Sequence, residues 1–161
     1  MNAKAETTVE RTSDCELVVT RTFNAPARLV YEAWTTPELL MKWWTPKSIP
    51  MSFVSCEVDA RTGGKYRFVF AHPDFDQPMA FFGRYLEATP PSRLVWTNEE
   101  DHEGSGAITT VTFEDLGGQT QVVKRDLHPS KESLDAEIAS GATSAYDETF
   151  GQLDEVLGGV G

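Results

Sequence analysis

Hydrophobic and polar positions follow two periods along this chain, and the period changes near residue 128. Up to that point apolar residues recur at every second position in short runs, the spacing of half-buried strands. The runs lie at residues 15–23, 52–59, 65–71, 79–88, 93–98, 107–114 and 119–127. The cleanest is KYRFVFA, which sends Tyr66, Phe68 and Phe70 to one side and Lys65, Arg67 and Val69 to the other. Turn chemistry separates the runs: DARTGG, HPDFDQP, TPPS and DLGG are rich in Gly, Pro and Asp, and an acidic loop covers 99–106. Beyond residue 130 the apolar spacing becomes three and four, through Leu134, Ile138, Ala142, Ala145, Tyr146, Thr149, Phe150, Leu153, Val156 and Leu157. That pattern predicts one amphipathic helix over about 131–157, stopped by Gly158-Gly159. Gly141 and Gly151 lie inside it, as kinks or as points of close approach.

The stretch RTFNAPARLVYEAWTTPELLMKWWTP, residues 21–46, interrupts the strands. Asn24 is suited to cap a helix and Pro26 to sit in its first turn, with Val30, Ala33 and Trp34 on one face. Thr36, Pro37 and Glu38 start a second helix, in which Leu39 and Leu40 stand one turn before Trp43 and Trp44. Helices this short are unstable alone in water, so the pair must brace a larger body.

These elements assemble into an α+β fold, a curved sheet gripping one helix. Hairpin-linked strands make a curved seven-stranded antiparallel sheet, the long C-terminal helix covers one face, and the two short helices close the gap between strands one and two. Residues 1–13 are polar and aperiodic and are expected to form a disordered tail, leaving 14–158 as a single domain. A sheet that bends away from its helix leaves space between them. The residues aimed into that space are aromatic: Tyr66, Phe68, Phe70, Tyr85, Trp96, Phe113, Tyr146 and Phe150. Thr109 adds a polar contact, and Leu40 and Trp44 on the brace are expected near an entrance. The set suits a flat, mostly apolar ligand.

Charge narrows the partners. The 161 residues carry 25 acidic and 14 basic side chains, a net charge of −11, which disfavours nucleic acid and anionic membranes. No apolar run approaches a membrane span and the N-terminus lacks a secretory pattern, so a cytoplasmic address is expected. Cys15 and Cys56 have no metal spacing and are expected as free thiols. His72, His102 and His128 each fall in a loop, without a ligand partner at metal spacing, so no metal, cofactor or catalytic residue is assigned. Among the strand charges Arg67, Arg84, Lys124 and Arg125, the first choice for an inward-facing group is Arg84, because it follows Gly83 at an expected bulge. The last helix carries Glu132, Asp135, Glu137, Asp147, Glu148, Asp154 and Glu155, and no Lys or Arg follows Lys131. This face is either solvated or a dock for a basic protein partner. Monomer and homodimer both remain open.

The phrases RTFNAPARLVYEAWTTPELLMKWWTP, DARTGGKYRF, FFGRYLEATPPSRLVWT and TTVTFEDLGGQTQVV together resemble the single-domain bacterial proteins named after the activator of the heat-shock-90 ATPase. These belong to the SRPBCC, or START-like, superfamily. The resemblance spans about residues 15–157. It implies the helix-grip fold of the major birch pollen allergen and makes Ala25-Pro26, Trp43-Trp44, Gly63-Gly64 and Pro90-Pro91 architectural. The chain departs at Ala145-Tyr146, where many relatives carry Gly-Trp. Three functions follow as expectations: binding of a small hydrophobic or aromatic molecule, a chaperone-cofactor role in the stress response, or a cyclase or aromatase activity. The eukaryotic activators join this domain to a second one, for which this chain has no room.

Overall fold

The computed structural model describes residues 7–99, 106–139 and 145–160. Eight strands form one antiparallel sheet: β1 (Thr8–Arg11), β2 (Glu16–Phe23), β3 (Ser52–Val58), β4 (Lys65–Ala71), β5 (Met79–Thr89), β6 (Arg93–Thr97), β7 (Ile108–Asp115) and β8 (Thr120–Leu127). Their order across the sheet is β1-β2-β8-β7-β6-β5-β4-β3. The six strands from β3 to β8 are the expected meander. β2 then pairs along its whole length with β8, from Glu16 opposite Leu127 to Phe23 opposite Thr120. The eighth strand is β1, which falls within the stretch expected to be a disordered tail. It pairs with β2 in register, Val9 opposite Val19, and Arg11 reaches Asp135 at 2.7 Å. Its side chains are all exposed, so the backbone ladder holds it without burial, and no apolar pattern announces it.

Between β2 and β3 lie α1 (Ala27–Thr35) and α2 (Pro37–Trp43). The cap of α1 is Pro26 rather than Asn24, and its carbonyl accepts from Leu29 and Val30. Thr36 and Pro37 open α2 as expected. The predicted C-terminal helix is described as α3 (Lys131–Ala139) and α4 (Tyr146–Val160); Gly141 and Ala142 lie outside the described residues, as does His102. α4 runs through Gly158-Gly159 instead of stopping there. It is the gripped helix, packing on α1, α2 and β2, and buries Phe150, Leu153 and Leu157. None of the described helices is long and apolar enough to cross a membrane.

Two polar devices lock the brace to α4. Gln152 donates to the carbonyls of Trp43 (3.1 Å) and Thr45 (2.9 Å) and accepts from the Lys47 N–H (2.8 Å). One side chain thus satisfies carbonyls that the end of α2 leaves open. Arg21 points inward from β2 and is buried, paired with Asp154 on α4 at 3.0 Å. A buried guanidinium needs such a partner.

Sheet curvature has a local cause at Gly83. A Cβ there would collide with the Thr97 carbonyl oxygen, so β5 can approach β6 this closely only with glycine. The register then shifts between Tyr85 and Glu87, two residues beyond Gly83. Gly151 is different: a Cβ would meet nothing within 4 Å, so it marks no close approach.

Two stability changes of opposite sign are expected. Phe150→Ala should lower unfolding free energy by about 3–5 kcal/mol, the usual cost of emptying an aromatic core site. Gly151→Ala should raise it by roughly 0.5–1 kcal/mol, because helix propensity improves in open space. Denaturant unfolding of the two variants checks both.

Candidate functional site: a cavity between sheet and helices

Two adjoining hollows lie between the curved sheet, the brace and α4. The smaller, about 230 Å³, is walled by Tyr66, Phe68 and Phe70 of β4, Phe81 and Tyr85 of β5, Trp96 of β6, and Trp34, Trp44, Thr45, Pro46, Met51 and Asn98. The larger, about 1010 Å³, shares Trp34, Trp44, Pro46, Met51, Phe81, Trp96 and Asn98 with it. It extends to Thr109, Lys124, Asp126, Tyr146, Thr149 and Phe150, with Ser130, Glu132, Ser133 and Glu137 at its α3 side. The two hollows share a wall, and the smaller is mainly aromatic while the larger carries most of the polar groups.

The aromatic end is built by strand alternation. Tyr66, Phe68 and Phe70 fall on the inner face of β4 because that face takes every second residue. Tyr66 donates its hydroxyl to the Thr97 carbonyl at 2.7 Å, so its tip is satisfied inside the fold. Trp34 meets Trp43, Trp44, Trp96, Phe113 and Phe150 at centroid distances of 4.7 to 6.1 Å. Its indole N–H is buried with no hydrogen-bond partner among the described residues.

The polar end is a hydrogen-bonded chain. The Asn98 amide donates to the Ala107 carbonyl (2.8 Å) and to Thr109 Oγ1 (3.0 Å). The Thr109 hydroxyl donates to Asp126 Oδ1 at 2.7 Å. Lys124 Nζ donates to Asp126 Oδ2 at 2.6 Å and to the Tyr146 hydroxyl at 2.9 Å, and lies 4.9 Å from the Tyr146 ring centroid. Burial works against the charge on Lys124, but the Asp126 carboxylate and the Tyr146 hydroxyl together outweigh burial and raise its pKa. Burial likewise opposes the Asp126 charge, and the Lys124 ammonium together with the Thr109 hydrogen bond and the nearby His128 overcomes it, holding that carboxyl below its ordinary range. Burial pushes the Tyr146 phenol up to about 12, even with the Lys124 charge pulling it down.

The residues singled out from sequence distribute unevenly. Trp44, Tyr66, Phe68, Phe70, Tyr85 and Trp96 stand around the aromatic end, and Thr109, Tyr146 and Phe150 around the polar one. Leu40 and Phe113 line neither hollow. Leu40 is sealed under the brace, and Phe113 packs edge-on against Tyr31 at 5.4 Å. Arg84 is corrected outright. It points to solvent and pairs with Glu99 at 3.0 Å, since Gly83 allows the close approach of β6 without turning the next residue inward. Of the four strand charges Arg67, Arg84, Lys124 and Arg125, Lys124 is the buried one. Its signal was present in the sequence: Lys124 and Asp126 stand two apart, on the face that also carries Thr120 and Val122, and a neutralising pair can share an inner face. His128 falls in a loop as expected, but not a solvated one. Its side chain is buried, with ring nitrogens at 2.9 Å from Ser133 Oγ and 3.3 Å from Glu137 Oε2. Those contacts fasten the end of β8 to α3.

Among the described residues no group of three His, Cys, Asp or Glu side chains could hold a metal ion. Cys15 and Cys56 are both free thiols, and burial, helped by the Glu38 charge, pushes Cys56 up to about 11, away from the reactive thiolate. On α4 Asp154 and Glu148 are engaged within the fold, while Asp147 and Glu155 are largely exposed. Asp154 and Asp147 face Arg21, Glu148 accepts from the hydroxyl and N–H of Ser48, and Glu155 lies 3.9 Å from Lys47.

The family model described as Activator of Hsp90 ATPase homolog 1-like protein matches residues 24–158. No curated protein matches the sequence. Among solved structures, a crystal structure of a protein from Rhodobacter sphaeroides superposes with a TM-score of 0.85 at 24% identity, covering 97% of this chain and 100% of that one; this likeness shows the fold. A protein from Nitrosomonas europaea is 26% identical with a TM-score of 0.80, over 91% of this chain and 96% of that one. One from Chromobacterium violaceum is 28% identical with a TM-score of 0.74, over 88% and 96%.

The Lys124–Asp126 pair gives a stability prediction. Lys124→Met strands the Asp126 carboxylate and should cost about 3–5 kcal/mol, whereas the double change Lys124→Met with Asp126→Leu should recover most of that loss. Because the folded-state pKa of Asp126 is depressed, its contribution is complete above the unfolded value near 4 and is lost as pH falls through the lower folded value. Acid unfolding of the wild type should therefore be steeper below pH 4 than that of the double variant. Chemical denaturation across pH measures both effects.

Proposed function

The chain belongs to the Activator of Hsp90 ATPase homolog 1-like family, and we propose that it binds a small hydrophobic or aromatic molecule in the space between sheet and α4. The observation that carries this reading is the pair of adjoining hollows, of which the aromatic one alone measures about 230 Å³. Side chains as large as those of Trp34, Trp44 and Trp96 would close such a space if the core served packing alone. Apolar cavities of about 150 Å³ already admit benzene. The wall pairs an extended apolar surface with a few polar tips, the usual composition of a small-molecule site.

Two observations favour binding over the alternatives. A general acid or base works best with a pKa near the operating pH. Lys124 and Tyr146 are shifted upward and Asp126 downward, so all three hold one protonation state around neutrality. That suits fixed hydrogen bonding better than the proton transfers of a cyclase. A docking surface for a basic protein needs free carboxylates, and on α4 those of Asp154 and Glu148 are committed to Arg21 and Ser48.

Titration with N-phenyl-1-naphthylamine, a planar uncharged probe, should change tryptophan emission saturably, because Trp34, Trp44 and Trp96 border the space. Met51→Trp, which narrows the wall common to both hollows, should weaken binding at least tenfold with the fold intact by circular dichroism. Linear, non-saturating signals across a panel of planar compounds would overturn the proposal, as would unchanged affinity in the Met51 variant.

A further inference from the structure

Resting on the ligand reading above, we infer that the polar end of the cavity selects an uncharged ligand whose carbonyl or phenolic oxygen accepts a hydrogen bond from Lys124, and that it rejects carboxylates of the same shape. The inference starts from a count of donors. An ammonium carries three protons. Lys124 spends one on Asp126 and one on Tyr146, and the third has no partner among the described residues. The group lies in the wall of the larger hollow, in a side chain only 10% exposed. A buried donor left without an acceptor is costly, so an oxygen brought by a ligand gains more there than at the surface.

Position is set from behind. Asn98 holds Thr109, Thr109 holds one oxygen of Asp126, and the other oxygen of Asp126 holds Lys124. Each link is 3.0 Å or shorter, and Thr109 and Asp126 are themselves buried. The ammonium is therefore fixed before any ligand arrives, and little ordering cost falls on binding.

Charge decides which oxygen fits. A lone buried lysine would attract carboxylates, but Asp126 already neutralises this one. The same hollow is lined by Glu132, so its described wall carries a carboxylate beyond the neutralised Lys124–Asp126 pair. An anionic ligand would lose its hydration and meet surplus negative charge. A ketone or phenol loses far less water and still offers an acceptor.

Three naphthalenes of similar shape separate these outcomes: 2-acetylnaphthalene with a carbonyl, 2-isopropylnaphthalene without oxygen, and 2-naphthoate with a carboxylate. Equilibrium titration at pH 7 should rank the ketone at least tenfold above the carboxylate, and at least level with the hydrocarbon despite the ketone's greater affinity for water. In the Lys124→Met, Asp126→Leu double variant, which keeps the volume but removes both charges, the hydrocarbon should overtake the ketone. The carbonyl stretch of bound ketone should move to lower frequency in the wild type and not in the double variant. Tyr146→Phe, a milder change, should leave the carboxylate excluded. Equal binding of all three compounds, tighter binding of naphthoate, or an unshifted carbonyl band in the wild type would overturn the selectivity while leaving the ligand reading in place. Failure of all three to bind saturably would overturn both.

Discussion

The aromatic contacts of Trp34 tie the structure together. This one residue of α1 touches Trp43 and Trp44 of the brace, Trp96 and Phe113 of the sheet, and Phe150 of α4. Three separate layers meet at its ring. The sheet is curved and cannot close on itself, so its inner face needs a cover whose distance is set by something rigid. Trp34 supplies that spacing, and Gln152 keeps the brace from sliding along α4 by occupying the open carbonyls after Trp43. The cavity is a consequence. Trp44 of the brace reaches Phe68 of β4 at 5.3 Å between ring centroids, and the space beside that contact is lined but left open.

A buried ion pair in such a wall is a poor source of stability, because desolvation offsets most of the attraction. Lys124 and Asp126 together contribute little that two apolar residues could not. What they provide is a fixed donor at one end of an otherwise apolar space. Arg21 and Asp154 show the structural use of the same chemistry: there the pair joins β2 to α4 and borders neither hollow. The two inward cations lie on neighbouring strands, both on inner-face positions, with different surroundings. One is enclosed by packing, and the other faces open volume.

Much of this was legible in the chain. Local periods and turn residues determined seven of the eight strands to within a residue or two, the two-helix brace, and the α+β class, because hydrophobic alternation and glycine or proline chemistry act over a few neighbours. The inner-face aromatics Tyr66, Phe68 and Phe70 followed from period two alone. The β1 strand was not legible, since it is held by backbone pairing with β2 and has no buried side chain. Arg84 and Lys124 illustrate the deeper limit. Both are cations on strands with apolar neighbours, and sequence cannot say which face of a curved sheet each meets. Only the tertiary structure decided it: Gly83 let β6 approach closely and left Arg84 outside, and pairing of β8 with both β2 and β7 carried Lys124 and Asp126 inward opposite Tyr146. Which aromatics border open space and which, like Phe113, are sealed in the core was decided the same way. It depends on the gap between layers, a distance that no local pattern encodes.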